Sequence, residues 1–272
     1  MERGAPVRAV SRSIAALQAI NRHGSLTLIE LAKQIDLPYP TACRIVQTLL
    51  YEGLIECEPT RKRYRAAPLA QSLSMGFKGD ASQLPVTHPL LVGLTRNVRW
   101  PVGLTSRAGP WMIVSDSTHS ISAMTFHNYD PGYTFPLLES ACGHAYLAHA
   151  PEAERAAVLA EIAATEGCPA ALAQFESGAL VERIRTDGYA CHDRNRHTQS
   201  PGKTSSVSVP VFDSGRVTSA LTLTFFAASM PMADAVQRFV PDMLQVADAI
   251  GARIGAARVR PRPPADLPHL MH

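Results

Sequence analysis

Two clusters of polar side chains near the N-terminus have the types and the spacing needed to contact a nucleic acid. The first cluster recurs at helical spacing: Thr41, Arg44, Gln47 and Thr48. The second is the run Arg61-Lys62-Arg63-Tyr64-Arg65, which has four cations in five residues. Arginine and amide groups hydrogen-bond to base edges, and clustered cations bind phosphates. The alternative for a charged run is a solvated protein surface.

The elements that must position these side chains are two short helices joined by a tight break. Thr27 and Glu30 have the spacing of a capping box, which predicts a helix running to Ile35. A break over 36–38 precedes a second helix over 40–52, which Gly53 is expected to end. The apolar face of that second helix would be Ile45, Val46, Leu49 and Leu50. Such a pair is typical of a helix-turn-helix that places one helix in a major groove.

A third helix and a basic hairpin complete the predicted N-terminal domain. Ser11 is expected to cap a helix over 11–23. The buried stripe of that helix would be Ile14, Leu17 and Ile20. A strand over 54–58 turns at Pro59-Thr60 and returns through the cationic run, which gives a hairpin with a basic tip, called the wing below. We therefore predict a winged helix-turn-helix domain over residues 1–66.

Size and charge distribution agree with a DNA-binding domain joined to a second domain. A chain of 272 residues is long enough for two domains. Residues 1–78 contain 11 Lys and Arg against 6 Asp and Glu, whereas residues 79–272 contain 15 against 17. The positive charge is thus concentrated where phosphates would be bound. Five cysteines without a C-x-x-C pair, and no run of 18 apolar residues, favour a cytoplasmic protein that neither binds nor crosses a membrane.

The remainder of the chain predicts a linker, an α+β domain and a tail. Leu69, Leu73 and Phe77 recur every four residues, which indicates a linker helix over 67–80. Residues 81–258 alternate strand-like and helical runs, so we expect an antiparallel sheet with helices. The strands would be 102–106, 111–116, 123–126, 205–212 and 216–226, and the helices would be one from Thr87 and those over 140–149, 152–165, 176–187 and 232–258. Four prolines and no periodicity predict a disordered tail over 259–272.

One face of the predicted sheet would carry hydroxyl groups. Ser206 and Ser208 alternate with valines, and Thr222 and Thr224 alternate with leucines, so the hydroxyls share a face in each strand. Burying that face without hydrogen-bond partners would be costly, and a polar ligand supplies partners. The helix that starts near Ser140 could receive a carboxylate at its N-terminus. The alternative is a sheet face covered only by solvent.

Several longer motifs resemble those of the IclR family of bacterial transcription regulators. The N-terminal motifs are 7–13, 31–33, 37–49 and 52–55, and the C-terminal motifs are 140–148, 184–190 and 209–217. Within the family, Arg99-Trp100-Pro101, Phe126-His127 and Phe135-Pro136-Leu137-Leu138 are most similar to activators of hydroxyphenylpropionate and related aromatic-acid catabolism.

The resemblance implies a ligand-responsive, sequence-specific regulator of a catabolic operon with a GAF/PAS-like effector domain. Its expected partners are an operator in double-stranded DNA, a small aromatic organic acid, and further copies of the chain, as a homodimer or dimer of dimers. The residues expected to contact DNA are Arg8, Arg12, Thr27, Tyr39, Thr41, Arg44, Gln47, Thr48, Arg61, Lys62 and Arg63. The residues expected to contact the effector are His127, Ser140, Ala141, Cys142, Gly143, His192, Ser206, Ser208, Thr222 and Thr224.

The rival interpretation is an enzyme that converts a small molecule and is tethered to DNA by the winged helix. Gly202-Lys203-Thr204 imitates the end of a phosphate-binding loop, but His197 stands where the first glycine is required. Ser200 and Lys203 fit S-x-x-K, but Pro201-Gly202 would break the helical turn that this motif needs. Histidine pairs five residues apart do not share a helical face, so we expect no metal, no cofactor and no catalytic residue.

Overall fold

The computed structural model describes residues 5–74, 84–127, 129–164, 169–196 and 198–259. The chain forms two compact units, residues 1–79 and 80–272. Within the described ranges, no helix is long and apolar enough to cross a membrane.

The N-terminal unit is a three-helix core with a small sheet. Its helices are α1 (Arg8–His23), α2 (Leu28–Gln34) and α3 (Tyr39–Tyr51), and its strands are β1 (Leu26–Thr27), β2 (Ile55–Cys57) and β3 (Arg63–Ala66). The strands lie in the order β1-β3-β2, and both pairs are antiparallel. The capping box is confirmed, because Thr27 Oγ1 accepts the Glu30 N–H at 3.3 Å and Glu30 Oε2 accepts the Thr27 N–H at 2.8 Å. Gly53, at φ +70°, follows α3 as expected.

Helix α1 differs from the sequence prediction at its start and on its buried face. It begins at Arg8, with Val7 as its N-cap, and the Ser11 N–H donates to the Val7 carbonyl, so Ser11 lies inside the helix. Ile14 is half exposed, and the buried positions are Ala16, Ala19 and Ile20. Ile20 is fully buried and Leu17 packs against the core, so two of the three predicted positions are confirmed and Ile14 is not.

The C-terminal unit is built on a six-stranded antiparallel sheet. The strands are β4 (Val102–Ala108), β5 (Trp111–Ser117), β6 (Thr134–Pro136), β7 (Ala190–His192), β8 (Thr204–Asp213) and β9 (Arg216–Phe226). Their order across the sheet is β6-β5-β4-β9-β8-β7. The β8–β9 hairpin turns at Ser214 and Gly215, both with positive φ, as a two-residue type I′ turn requires.

Helices cover both faces of this sheet, which confirms the α+β class. Helices α4 (Leu84–Val98) and α9 (Met232–Val259) pack on the face that carries Val207, Val209 and Leu221. The other face is covered by α5 (Ala141–His149), with α6 (Glu152–Ala163), α7 (Pro169–Glu176) and α8 (Ala179–Asp187) packed around it. The alternation along β8 and β9 therefore separates a valine and leucine face from a hydroxyl face, as the sequence predicts.

Three sequence predictions from the linker onwards differ from the structure. Residues 123–126 form no strand, and the sheet edge beside β5 is occupied by Thr134–Pro136 instead. The helix expected over 176–187 begins only at Ala179, because Gly178 has a φ of +75° and interrupts the chain between α7 and α8. The linker starts as a 3-10 helix over Pro68–Ser74, in which the Ser72 and Ser74 hydroxyls bond to carbonyls three residues back. Residues 75–80 of the predicted linker and 260–272 of the predicted tail lie outside the described residues.

Candidate functional site

Helix α3 presents the polar face that the sequence predicts. Arg44, Gln47 and Thr48 are exposed, Tyr39 is 54% exposed, and Thr41 is partly buried. The opposite face is buried against the core through Ala42, Ile45, Val46 and Leu49. The Thr48 hydroxyl donates to the Arg44 carbonyl at 3.0 Å, so Arg44 and Gln47 carry the strongest free donors of this face among the described side chains.

The wing divides its cations between two roles. Arg61 and Lys62 are exposed in the turn between β2 and β3, and Lys62 has a φ of +49°. Arg63 instead donates from Nε to Ser25 Oγ at 3.1 Å and from Nη2 to the Ser25 carbonyl at 2.9 Å. Its Nη2 also lies 3.0 Å from Glu30 Oε2. The guanidinium of Arg63 thus holds the wing to the domain, and the geometry does not support its predicted role as a phosphate ligand.

The remaining residues predicted to contact DNA lie on α1 and at the start of α2. Arg8 and Arg12 are exposed on the first two turns of α1. Thr27 Oγ1 already accepts the Glu30 N–H in the capping box. The reverse bond, from the Thr27 N–H to the Glu30 carboxylate, is the main cause that lowers the pKa of the Glu30 carboxyl. The main role that the structure gives Thr27 is therefore to cap the N-terminus of α2.

A cavity lies on the hydroxyl face of the C-terminal sheet, at the N-terminus of α5. Its volume is about 540 Å³, including space open to solvent. Six of the ten residues predicted to contact an effector line it: Ser140, Ala141, Cys142, Ser206, Thr222 and Thr224. In the sheet register, Ser206 lies opposite Thr224 and Ser208 lies opposite Thr222, which brings the predicted hydroxyls together.

The other four predicted residues do not line this cavity. Ser208 is fully buried, and its hydroxyl is bonded at 3.2 Å to the Leu221 carbonyl and lies 2.9 Å from Thr222 Oγ1. Gly143 packs so tightly that an added Cβ would lie 1.9 Å from the Leu137 carbonyl oxygen. His127 borders a smaller neighbouring cavity, and His192 lies on β7 with its ring centroid 6.1 Å from that of His144.

The start of α5 provides hydrogen-bond donors at the cavity wall. Ser140 is the N-cap, and its hydroxyl accepts the Gly143 N–H at 3.2 Å and donates to the Pro136 carbonyl at 2.9 Å. The N–H groups of Ala141 and Cys142 lie in the first helical turn, where the helix itself offers them no partner. Burial raises the pKa of the Cys142 thiol, which keeps it protonated, so the positive end of α5 faces a neutral side chain.

The loops above the sheet add residues that the sequence prediction missed. His119, Tyr129, Phe135, Asn195 and Thr198 also line the cavity. Tyr129 lies 4.9 Å from the His119 ring and 5.3 Å from the Phe135 ring, measured between centroids, so aromatic faces close one side. Burial lowers the pKa of His119 to about 4. No Lys, Arg, Asp or Glu belongs to the described lining, and the wall is therefore uncharged near neutral pH.

Metal-ligating side chains do not converge in the part of the chain that the structure describes, where no group of three His, Cys, Asp or Glu could hold an ion. The cavity instead combines hydroxyls, helix N–H groups and aromatic rings. This combination suits an uncharged or singly charged organic molecule.

Family models match both units of the chain. The model for the IclR helix-turn-helix domain matches residues 9–59, and the model for the bacterial transcriptional regulator IclR C-terminal matches residues 84–252. The chain belongs to the IclR family. It is thus a DNA-binding transcriptional regulator with a ligand-binding C-terminal domain, and its family is one of transcriptional regulators, which are generally not enzymes.

Known IclR-family proteins resemble this chain over most of its length. The HTH-type transcriptional regulator BhcR of Paracoccus denitrificans is 27% identical over 215 residues, which cover 76% of this chain and 73% of BhcR. An IclR-family regulator from Brucella abortus is 22% identical, has a TM-score of 0.64, and covers 91% of this chain and 92% of its own. An IclR homologue from Microbacterium hydrocarbonoxydans, solved with 4-hydroxybenzoate, is 18% identical at a TM-score of 0.62, covering 91% and 99%. The likeness to the two solved structures confirms the fold.

Proposed function

We propose that this IclR-family regulator senses an aromatic carboxylic acid in the cavity at the start of α5 and controls a catabolic operon. The observation that carries the proposal is the wall of that cavity, which joins aromatic rings to hydroxyls and to the N–H groups of Ala141 and Cys142. An aromatic ring would pack on Tyr129 and Phe135, and a carboxylate would accept hydrogen bonds at the positive end of α5. By analogy of fold, the complex of the Microbacterium hydrocarbonoxydans homologue with 4-hydroxybenzoate supports this class of ligand.

The proposed DNA contacts lie on α3 and the wing. Arg44 and Gln47 would meet the major groove, while Arg61 and Lys62 would meet phosphates beside it. One such reader contacts few base pairs, so we propose a homodimer or a dimer of dimers that reads two half-sites. Ligand binding would shift the population between arrangements with different operator affinities.

A binding experiment with the full chain tests the effector class. Operator duplexes selected from random DNA by the protein itself are titrated with and without 3-phenylpropionate, cinnamate, 4-hydroxybenzoate and, as an aliphatic control, hexanoate. We expect one aromatic acid to change operator affinity and to stabilise the protein by about 2.7 kcal/mol at 100 times its dissociation constant. Stabilisation by hexanoate alone, or by none of the acids, would contradict the proposal. Recovery of the bound acid unchanged separates a sensor from a tethered enzyme.

A variant of the recognition helix tests the DNA surface. Arg44→Ala should weaken operator binding by about 1–3 kcal/mol if the side chain reads a base, or lower the salt slope by about one unit if it meets a phosphate. Unchanged affinity together with an unchanged salt slope would remove Arg44 from the interface.

A further inference from the structure

One polar atom in the wall of the cavity has no partner. His119 is only 4% exposed, and its Nε2 makes no hydrogen bond within the described chain. His119 is also one of the residues that line the cavity. Buried polar atoms in folded proteins are nearly always hydrogen-bonded, and an exception in a cavity-lining residue points to a group that a bound ligand could satisfy.

The other ring nitrogen fixes which kind of partner Nε2 requires. Nδ1 lies 3.0 Å from Ser117 Oγ, and the same oxygen accepts the backbone N–H of His119 at 3.2 Å. Ser117 Oγ has no further hydrogen bond among the described residues, so its own proton is available for Nδ1. If Nδ1 carried the ring proton instead, the hydroxyl proton of Ser117 would have no acceptor among the described protein groups. The hydrogen-bond pattern therefore assigns the proton to Nε2.

A charged ring would satisfy both nitrogens as donors, but the surroundings oppose it. Burial lowers the pKa of His119 to about 4, so the ring is neutral near pH 7. The Tyr129 ring packs against it at 4.9 Å between centroids, in a T-shaped arrangement that holds its orientation. His119 thus offers one oriented N–H donor to a cavity wall that otherwise offers hydroxyls and helix N–H groups.

We propose that His119 determines specificity in this cavity, and that its Nε2 donates a hydrogen bond to an oxygen acceptor of the bound effector. This proposal rests on the proposed function, which places the effector in the cavity at the start of α5. It adds that the effector must carry an acceptor oxygen that reaches His119 Nε2. A carboxylate oxygen, a carbonyl oxygen or a phenolic oxygen meets that requirement, whereas an alkyl or halogen substituent does not.

The first test needs no ligand. Chemical shifts of the His119 imidazole ¹⁵N and ¹³C nuclei in the free protein at pH 7 distinguish the two neutral forms. We expect the form protonated at Nε2. Protonation at Nδ1, or on both nitrogens, would overturn the proposal, whatever the effector turns out to be.

The second test compares two replacements of the ring. His119→Gln keeps an N–H donor near the position of Nε2, and His119→Phe keeps the ring shape without a donor. Calorimetric titrations use 3-phenylpropionate, cinnamate and 4-hydroxybenzoate, with the corresponding amides as uncharged oxygen acceptors. For each probe that the wild type binds, His119→Phe should weaken binding about tenfold and His119→Gln by less than about threefold.

The stability of the free variants separates a ligand contact from a structural role. Phe removes an unpartnered buried N–H but also removes the Nδ1 acceptor of the Ser117 hydroxyl, and these two effects oppose each other, so His119→Phe should melt near the temperature of the wild type while it loses affinity. Wild-type affinity in His119→Phe would overturn the proposal. Binding of the amides without the acids would overturn the proposed acid effector and leave His119 in place, whereas binding of neither set would contradict both.

Discussion

Arg63 Nη2 lies 3.0 Å from Glu30 Oε2, and this ion pair fastens the wing to the first turn of α2. The same guanidinium reaches the Ser25 hydroxyl and carbonyl. A residue that the sequence places among the phosphate ligands is therefore part of the internal frame of the N-terminal unit. The two preceding cations of the wing, Arg61 and Lys62, are exposed, and their contact with phosphates stays a prediction.

Replacing Arg63 should affect stability more than electrostatics. Arg63→Ala removes two hydrogen bonds to Ser25 and a partly exposed ion pair, so we expect the free energy of unfolding to fall by about 1–2 kcal/mol. Arg61→Ala, the matched loss of one cation from the same hairpin, should leave it unchanged. Urea denaturation followed by circular dichroism measures the free energy of unfolding of both variants. Amide hydrogen exchange at Thr27 and Glu30 reports on the local stability where the wing is held. Equal stability of the two variants would show that the Arg63 contacts do not hold the wing.

The double variant Arg61→Ala/Lys62→Ala should weaken DNA binding without loss of stability. If both cations meet phosphates, affinity for selected and random duplexes falls by similar factors, and the salt slope falls by about two units. Arg238→Ala, which removes an exposed cation from α9, serves as the control and should bind both duplexes as the wild type does. A loss confined to the selected duplex would mean that the wing reads sequence.

Gly143 was predicted to contact the effector, but its surroundings indicate a packing role. An added Cβ would lie 1.9 Å from the Leu137 carbonyl oxygen, and backbone atoms cannot move aside easily. Gly143→Ala should therefore destabilise the protein by about 1–3 kcal/mol. Gly93→Ala is the matched control, because Gly93 is exposed in α4 with open space around its Cα, and it should be neutral or stabilising by up to about 1 kcal/mol. Thermal melts compare the stability of the two variants. A Gly143→Ala protein as stable as the wild type would contradict the close approach of Gly143 to the Leu137 carbonyl.

Acid should destabilise the C-terminal unit through two buried histidines. Burial lowers the pKa of His119 to about 4, and it lowers that of His144 to about 4 with smaller contributions from His192 and Arg183. Both folded values lie below the unfolded value of 6.5, so the unfolded chain binds more protons between about pH 4 and 6.5. Stability is then complete above about pH 6.5 and falls as the pH drops towards 4, by up to about 3 kcal/mol for each ring.

Denaturation at pH 7, 6 and 5 measures this dependence. His119→Phe and His144→Phe should each flatten the curve, while His23→Gln, at an exposed site, should leave its slope unchanged. A wild-type stability that does not change between pH 7 and 5 would contradict the burial of these rings as neutral groups.

Local signals explain what the sequence could predict. The Thr27–Glu30 capping box and the alternation along β8 and β9 both depend on residues close in the chain, and both are confirmed. The sequence also predicts that Ser206, Thr222 and Thr224 share one face of the sheet, because side chains alternate along a strand, and all three line the cavity.

Long-range packing explains what the sequence could not predict. His119, Tyr129 and Asn195 line one cavity although they are far apart in the chain, and no spacing within either loop signals this shared position. The edge strand β6 has three residues and ends in Pro136, so it lacks a strand pattern of its own. The role of Arg63 was hidden because its partners, Ser25 and Glu30, precede it by more than thirty residues.

Titration of a cavity-filling variant tests the central claim most directly. Cys142→Leu adds volume at the cavity wall, and Cys191→Leu makes the same change at an exposed position on β7. Isothermal calorimetry measures each variant against the aromatic acid that binds the wild type, and a thermal melt checks that both are folded. We predict that Cys142→Leu loses binding while Cys191→Leu keeps wild-type affinity. Wild-type affinity in a folded Cys142→Leu protein would show that the effector binds outside this cavity.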